Sequence, residues 1–330
     1  MKNVLVLGGT GFVGAPVCEM LLRQGWQVTV PSRQLSNAET LHRSLPEAHL
    51  LELDVHDETA LAQALAGQQA VVNLVAILHG TAGAFEKVHV DLPHKLARAC
   101  GAAGVRQMVH LSALGADSVQ PQSAPSMYLR SKGQGEAVLL RAAGCVGQQG
   151  GFDLTVLRPS VIFGVRDKFL NVFAQLQKVL PVMPLAGATT RFQPVWVQDV
   201  ASAVVRSLER TDIASAPDVP LVLELCGPDV FTLRELVQLS ARLSGIRGGR
   251  GRPVLALPGW LGRWQATLME LAPGEPLMSR DNLDSMRIDN VASGKVPGLS
   301  CLGISATALL PIASAYLDPK QFGLVPGLPT

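Results

Sequence analysis

Residues 2–14 read Lys-Asn-Val-Leu-Val-Leu-Gly-Gly-Thr-Gly-Phe-Val-Gly, with Gly8, Gly11 and Gly14 placed between an apolar run and a helical pattern. Glycines at this spacing let a backbone turn tightly, approach an anion closely and pack a helix against a strand. The ligand that uses all three properties is a pyrophosphate at a helix N-terminus, where backbone N–H groups and the helix dipole favour negative charge. The strand–turn–helix context therefore predicts a dinucleotide site lined by Gly8, Thr10, Gly11, Phe12, Val13 and Gly14.

The second predicted strand ends Val28-Thr29-Val30-Pro31-Ser32-Arg33, without the carboxylate that bonds a ribose 2′-hydroxyl in NAD sites. Arg33 can pair instead with a 2′-phosphate, assisted by the Ser32 hydroxyl, so the expected cofactor is NADP(H), with NAD(H) as the alternative. Asp54 and Val55 follow the third predicted strand, where a carboxylate can accept from an adenine amino group. The competing reading of Asp54 is a loop residue capping the helix that begins at Glu58. Ala76, just past the fourth strand, is expected beside the cofactor's central portion.

Two tyrosines are present, and each has lysine four residues later: Tyr128/Lys132 and Tyr316/Lys320. Pro319 interrupts the second pair, whereas Tyr128 and Lys132 open a helical pattern in which residues four apart are neighbours. A nearby ammonium is expected to lower the Tyr128 phenol from its usual value of about 10 and fit it for proton transfer. Lys132 can also hold the nicotinamide ribose.

The elements that must position these residues alternate. Apolar runs at 4–7, 28–30, 70–74 and 107–111 predict buried strands, and helical patterns occupy 15–24, 58–66 and 92–103. Further strands are expected at 154–157, 195–197 and 221–225. This predicts an α/β fold, a Rossmann-type doubly wound parallel sheet with a smaller C-terminal lobe built from insertions. The expected boundaries are 1–165 completed by 195–227 for the nucleotide-binding core, and 166–194 with 228–330 for the smaller substrate or partner lobe.

Taken with Leu157-Arg158-Pro159, Gly164 and the run Val195-Trp196-Val197-Gln198-Asp199-Val200-Ala201, these motifs resemble the atypical extended short-chain dehydrogenase/reductases, also described as the NAD-dependent epimerase/dehydratase family. Arg158 to Gly164, then Arg166 to Asn171, Ser279-Arg280-Asp281-Asn282 and Asp289-Asn290-Val291 are similar to the dehydrogenase-like, NADPH-binding accessory subunits of respiratory complex I and their bacterial relatives. Active members of the wider family carry a serine or threonine just past the fifth strand, beside the tyrosine. Here Ala113 aligns with that position and Ser112 stands one residue early, on the opposite face unless a bulge intervenes. The catalytic candidates are thus Tyr128 and Lys132, with Ser112 as a weak third. Loss of such a donor removes roughly 3–4 kcal/mol of oxyanion stabilisation. The resemblance implies a nucleotide that is structural or regulatory and a role in respiratory, quinone-linked assembly. Two alternatives stay open: an active NADPH-dependent reductase or epimerase of a small carbonyl or quinone, and an NADPH redox sensor.

Composition bounds the rest. The 330 residues are 48% hydrophobic and 16% charged, and 28 basic against 26 acidic side chains leave +2, too little for a nucleic-acid footprint. Scattered Cys18, Cys100, Cys145, Cys226 and Cys301 fit reduced thiols in a cytoplasmic compartment, and no metal-ligand spacing occurs. His89, His94 and His110 are expected on helix surfaces or in strand packing, and Asp199 as a helix cap. Trp260, Trp264 and Met269 fall at helical spacing and are expected in a core, the alternative being an apolar lid or quinone-like pocket. The uncharged stretch 296–317 reads as a buried loop and short helix rather than a membrane span. The glycine-rich loop 244–253, with Arg247, Arg250 and Arg252, is either solvated or faces an anionic partner or lipid headgroup. Expected partners are a respiratory complex or another protein, with a peripheral contact at the inner membrane; the direct run from Met1 into a strand predicts no signal peptide.

Overall fold

The structure, a computed structural model, describes residues 2–143, 151–209, 220–271, 274 and 276–318; Cys145 and Lys320 lie outside them. The chain divides into two compact units: Met1–Pro159 with Gln198–Glu224 and Gly294–Ile304, and Ser160–Val197 with Leu225–Ser293 and Ser305–Thr330.

The first unit is built on six strands, β1 (Lys2–Leu7), β2 (Trp26–Ser32), β3 (His49–Glu52), β4 (Ala70–Asn73), β5 (Gln107–Leu111) and β6 (Asp153–Pro159), joined at one edge by Leu221–Leu225. The order from that edge is Leu221–Leu225, β6, β5, β4, β1, β2, β3, and the pairings from β6 through β3 are all parallel. Val4 to Leu7 and Ala70 to Val72 are inaccessible to solvent. That is why these strands read as continuous apolar runs instead of alternating ones. The run expected as a strand at 195–197 lies outside this sheet: Val195 and Trp196 pair with Ile162–Phe163, and Val197 already begins a helix.

Helices follow the strands. They are α1 (Gly14–Arg23), α2 (Glu39–Ser44), α3 (Glu58–Leu65), α4 (Ala82–Glu86), α5 (Leu92–Ala103) and α6 (Met127–Ala143). In α1 the buried residues Gly14, Val17, Cys18 and Leu21 form one stripe at helical spacing. α5 ends on Gly104 in the left-handed region, φ 69°. A single π turn, Lys87–Asp91, links α4 to α5 and adds a residue to the helical path.

The approach of α6 to its neighbours explains its two glycines. A Cβ at Gly135 would fall on the His89 carbonyl oxygen, and one at Gly133 on the Asp117 carbonyl oxygen. α6 therefore rests backbone to backbone on the π turn. Glu136, on the same helix, is fully buried and accepts from Arg158 Nε of β6 at 2.9 Å, fastening helix to sheet.

The second unit has its own apolar core, in which Phe163, Leu170, Leu185, Leu233, Leu236 and Ala313 cluster. Several signature residues serve this packing. Asp167 accepts from the Gly164 and Phe169 backbone N–H groups at 3.0 Å each and from the Tyr316 phenol at 2.6 Å. Asn290 accepts from Ser160 Oγ at 2.6 Å and from the Val161 N–H at 2.9 Å. Ser279 and Asn282 form a capping box on Arg280–Ser285. The uncharged stretch 296–317 contains a 3-10 turn at Leu299–Leu302 and a largely buried helix at Leu309–Leu317. No helix among the described residues is long and apolar enough to cross a membrane.

One expectation fails here. Trp260 and Trp264 do not enter the core; they are 67% and 65% exposed. The helix Gly259–Leu271 turns Gly262 and Ala266 inward instead, because a close approach to Ala186 leaves room only for small side chains.

Replacing Glu136 by alanine removes the carboxylate hydrogen-bonded to the largely buried Arg158 guanidinium. The expected loss is about 3–5 kcal/mol of stability, read from the urea midpoint at constant slope.

Candidate functional site

The strand order reverses direction between β1 and β4, so the loops after these two strands lie side by side at the sheet's carboxyl edge. Gly8, directly after β1, has φ 79°, and a Cβ there would stand 3.2 Å from the Leu74 carbonyl carbon. A Cβ at Gly14 would collide with the Gly8 carbonyl oxygen and lie 2.5 Å from Gly9 Cα, so only glycine lets α1 start this close to β1. The loop is self-supporting: Gly11 N–H donates to Gly8 O at 3.0 Å and Ala15 N–H to Gly11 O at 3.1 Å. α1 begins with neither a side-chain cap nor a carboxylate in its first turn. Its positive end is thus open to an anion, and the cradle fits a pyrophosphate.

At the end of β2, Ser32 Oγ donates to Gln34 O at 2.8 Å. Arg33 is exposed and makes no ion pair or hydrogen bond among the described residues. Past β3, Asp54 is also exposed and accepts from the His56 N–H at 3.0 Å. The cap of α3 is Asp57, which accepts from Thr59 and Ala60 N–H at 2.9 and 3.0 Å. The capping alternative for Asp54 is therefore wrong: the turn at 54–57 delays the helix and hands the cap to the next carboxylate. Burial lowers the His56 pKa, Asp54 opposes this, and Lys87, Lys95 and Arg33 lower it further. Four nitrogen bases thus share one neighbourhood with Asp54, and Lys95 also meets Glu58 at 4.0 Å. The sequence pattern had singled out only Arg33 and Asp54 of this group.

Beyond β4 the chain is held by a side chain that sequence reasoning had placed in surface or routine strand packing. His89, on the π turn and 2% exposed, accepts the Ile77 N–H on Nε2 at 3.2 Å. Its Nδ1 therefore carries the proton and donates to Ser131 Oγ at 2.8 Å, and that hydroxyl donates to the Tyr128 carbonyl at 2.8 Å. The imidazole also lies edge-on to the Tyr128 ring, centroids 5.5 Å apart. One buried ring thus ties the segment after β4 to the helix that carries Tyr128 and Lys132. The detectable signal was the pair of glycines in α6, which marks a close backbone approach.

Lys132 is 2% exposed, and its Nζ donates to Leu111 O, at the end of β5, at 3.0 Å. Burial lowers its pKa to about 8, against the pull of Glu136. His110 accepts from the Asn73 amide on Nδ1 at 3.1 Å, while Asn73 Oδ1 takes the Val75 N–H at 3.2 Å. Burial, then Lys132 and His110, push His89 down to about 2; burial and Lys132 push His110 down to about 3. The expected lowering of the Tyr128 phenol does not occur. Burial raises it above 10, and the ammonium that was to lower it is directed at Leu111 O.

Ser112 and Ala113 settle the register of the fifth strand. Leu111 pairs with Leu157, Ser112 N–H donates to Leu157 O and Leu114 N–H to Pro159 O, so the ladder keeps its two-residue step without a bulge. Ala113 packs with Ala124 and Leu129 against Tyr128. Ser112 Oγ is buried and makes no hydrogen bond among the described residues.

The model of the NAD dependent epimerase/dehydratase family matches residues 4–219. This chain belongs to that family. The rat mitochondrial protein NADH dehydrogenase [ubiquinone] 1 alpha subcomplex subunit 9 is 32% identical over 313 residues, covering 92% of this chain and 76% of its own length. A ceramide reductase of Caulobacter vibrioides is 26% identical over 245 residues, 74% of this chain and 71% of the reductase. In fold, the chain is similar to the UDP-glucose 4-epimerase of Thermotoga maritima, with a TM-score of 0.66 at 19% identity, covering 97% of this chain and 98% of the epimerase.

Because His89 and His110 stay neutral in the fold but ionise near 6.5 when unfolded, their contribution to stability is complete above pH 6.5 and declines as the pH falls toward 3. At pH 5, unfolding is expected to take up about one proton fewer in His89→Gln and in His110→Gln than in the parent. Denaturant titrations across pH 4.5–7 give the uptake, as a slope difference of about 1.4 kcal/mol per pH unit.

Proposed function

We propose that this epimerase/dehydratase-family chain binds NADP(H) in preference to NAD(H), keeps it as a structural or regulatory group, and docks as an accessory subunit on a respiratory enzyme at the inner membrane. Gly8, Thr10, Gly11, Phe12, Val13 and Gly14 would hold the pyrophosphate, and Ser32 and Arg33 the 2′-phosphate. Asp54 and Val55 would face the adenine, Ala76 the central portion, and Tyr128 and Lys132 the nicotinamide ribose. The bound group supplies hydride chemistry. The observation that carries the non-catalytic reading is the pairing of an intact glycine cradle with Ala113, in place of a serine or threonine, in the apolar cluster that packs against Tyr128. Without that donor a developing oxyanion loses stabilisation, whereas nucleotide binding does not depend on it. Docking is supported by the rat relative, whose name makes it a subunit of NADH dehydrogenase.

A second reading, an active NADPH-dependent reductase, is favoured by the Tyr128–Lys132 pair one turn apart on α6 and by the ceramide reductase relative. Burial keeps the Tyr128 phenol protonated at neutral pH, the state of a proton donor.

The two readings part on retention. Dissociation of NADPH, followed by its fluorescence after mixing with excess competing nucleotide, is expected to take many minutes. Release faster than about 10 per second would support turnover, and the reductase reading then requires Tyr128→Phe to abolish it. Arg33→Glu is expected to weaken NADPH about tenfold more than NADH, since only the former offers a phosphate to the guanidinium. Equal losses in isothermal titration would remove the NADP(H) preference.

A further inference from the structure

The helix Gly259–Leu271 has two apolar faces, and among the described residues only one is packed. Its inner face packs through Gly262 and Ala266, and a Cβ at Gly262 would lie 2.6 Å from Ala186 Cβ. On the other side Trp260, Trp264, Leu268 and Leu271 follow at steps of four, four and three residues, and they are 67%, 65%, 64% and 77% exposed. With Leu261 they cover an arc of about 100° in a helix of 3.6 residues per turn. Two charged residues to one side of this arc are already engaged: Arg263 pairs with Asp284 at 3.1 Å and Glu270 with Arg280 at 2.8 Å. Just before the helix, Leu255 is 57% exposed on the short strand Val254–Ala256.

Charge selects the occupant. From 242 to 269 the chain carries five arginines (Arg242, Arg247, Arg250, Arg252 and Arg263) and no aspartate or glutamate. Arg242, Arg247 and Arg250 are exposed and make no ion pair among the described residues. Arg247 is held at φ 52°, within a glycine-rich loop. The segment that leads into the helix is thus basic, and a second copy of this chain would bring the same positive charge rather than its complement. Anionic headgroups satisfy both features at once: phosphates pair with guanidinium groups, and indole rings settle at the depth where headgroups meet acyl chains. We propose that this face is a docking site for an anionic lipid surface, with the helix lying in the interface plane instead of crossing it. The proposal refines the inner-membrane location suggested above and is independent of the nucleotide.

Protein-free vesicles test it, because binding to lipid alone needs no respiratory partner. The purified full chain is expected to float with phosphatidylcholine vesicles containing about 30% phosphatidylglycerol, and at least tenfold less with phosphatidylcholine alone. W260S/W264S and R247E/R250E are each expected to lower partitioning about tenfold while NADPH affinity stays at the parent value. High salt should weaken the parent's binding and leave the residual binding of R247E/R250E nearly unchanged. No flotation by the parent chain, or parent-level flotation by W260S/W264S, would overturn the proposal without touching the nucleotide reading. So would a lipid-free dimer that W260S/W264S abolishes, since the face would then belong to a second copy.

Discussion

Lys132 brings an ammonium into the interior of the first unit, and the arrangement around it follows from accommodating that charge. Taking a cation out of water is costly unless fixed dipoles and an opposite charge replace the solvent. Here the Leu111 carbonyl accepts from Nζ, and Glu136 lies one turn along α6. Two imidazoles close by cannot also be charged, so His89 and His110 are neutral and each must place its single proton correctly. Asn73 and the Ile77 N–H make that choice. Each bond that fixes a tautomer also crosses between elements, from β4 to β5 and from the segment after β4 to the π turn. The carboxyl edge of the sheet is held by the same contacts that keep the buried charge tolerable.

The glycine cradle obeys a different constraint, the space between backbones. Gly8 and Gly14 let β1, α1 and the segment after β4 meet without side chains between them, and Gly133 and Gly135 do the same for α6. Because His89 donates to Ser131 only when α6 rests on the π turn, the second close approach is a condition for the polar cluster. Packing and electrostatics are therefore coupled at one place.

The strands and the glycine turn after β1 were legible in the sequence because their signals are local: buried parallel strands are continuous apolar runs, and a tight turn packed against a helix needs glycine at fixed offsets. Strand side chains alternate with period two, and the regular ladder puts Ala113 in the apolar cluster that packs against Tyr128. What the sequence hid depends on departures from those periods or on distant partners. His89 read as an ordinary packing residue, because a π turn rotates the helix face and nothing local announces it. The Tyr128 phenol was expected to be lowered from a spacing of four residues, but the direction of the Lys132 ammonium is set by a carbonyl on β5. Trp260 and Trp264 followed a helical period that predicts a buried stripe, and periodicity alone cannot say which of two apolar faces turns inward. That was decided by Ala186, far away in sequence.

On the proposed reading, retention of the nucleotide loop without the hydroxyl beside Tyr128 has a thermodynamic basis. A ligand that binds only the folded chain stabilises it by RT ln(1 + [L]/Kd), about 2.7 kcal/mol at a hundredfold excess over Kd. That is a large share of the 5–15 kcal/mol typical of a whole domain. The term requires affinity and no turnover, so it preserves the cradle while placing no demand on the proton-transfer side. Once Ala113 closes against Tyr128, the pressure on the surrounding residues is to keep the buried ammonium and its neutral imidazoles satisfied. A cluster that looks catalytic by composition can then persist as the brace that holds α6, and with it the nucleotide site, in place.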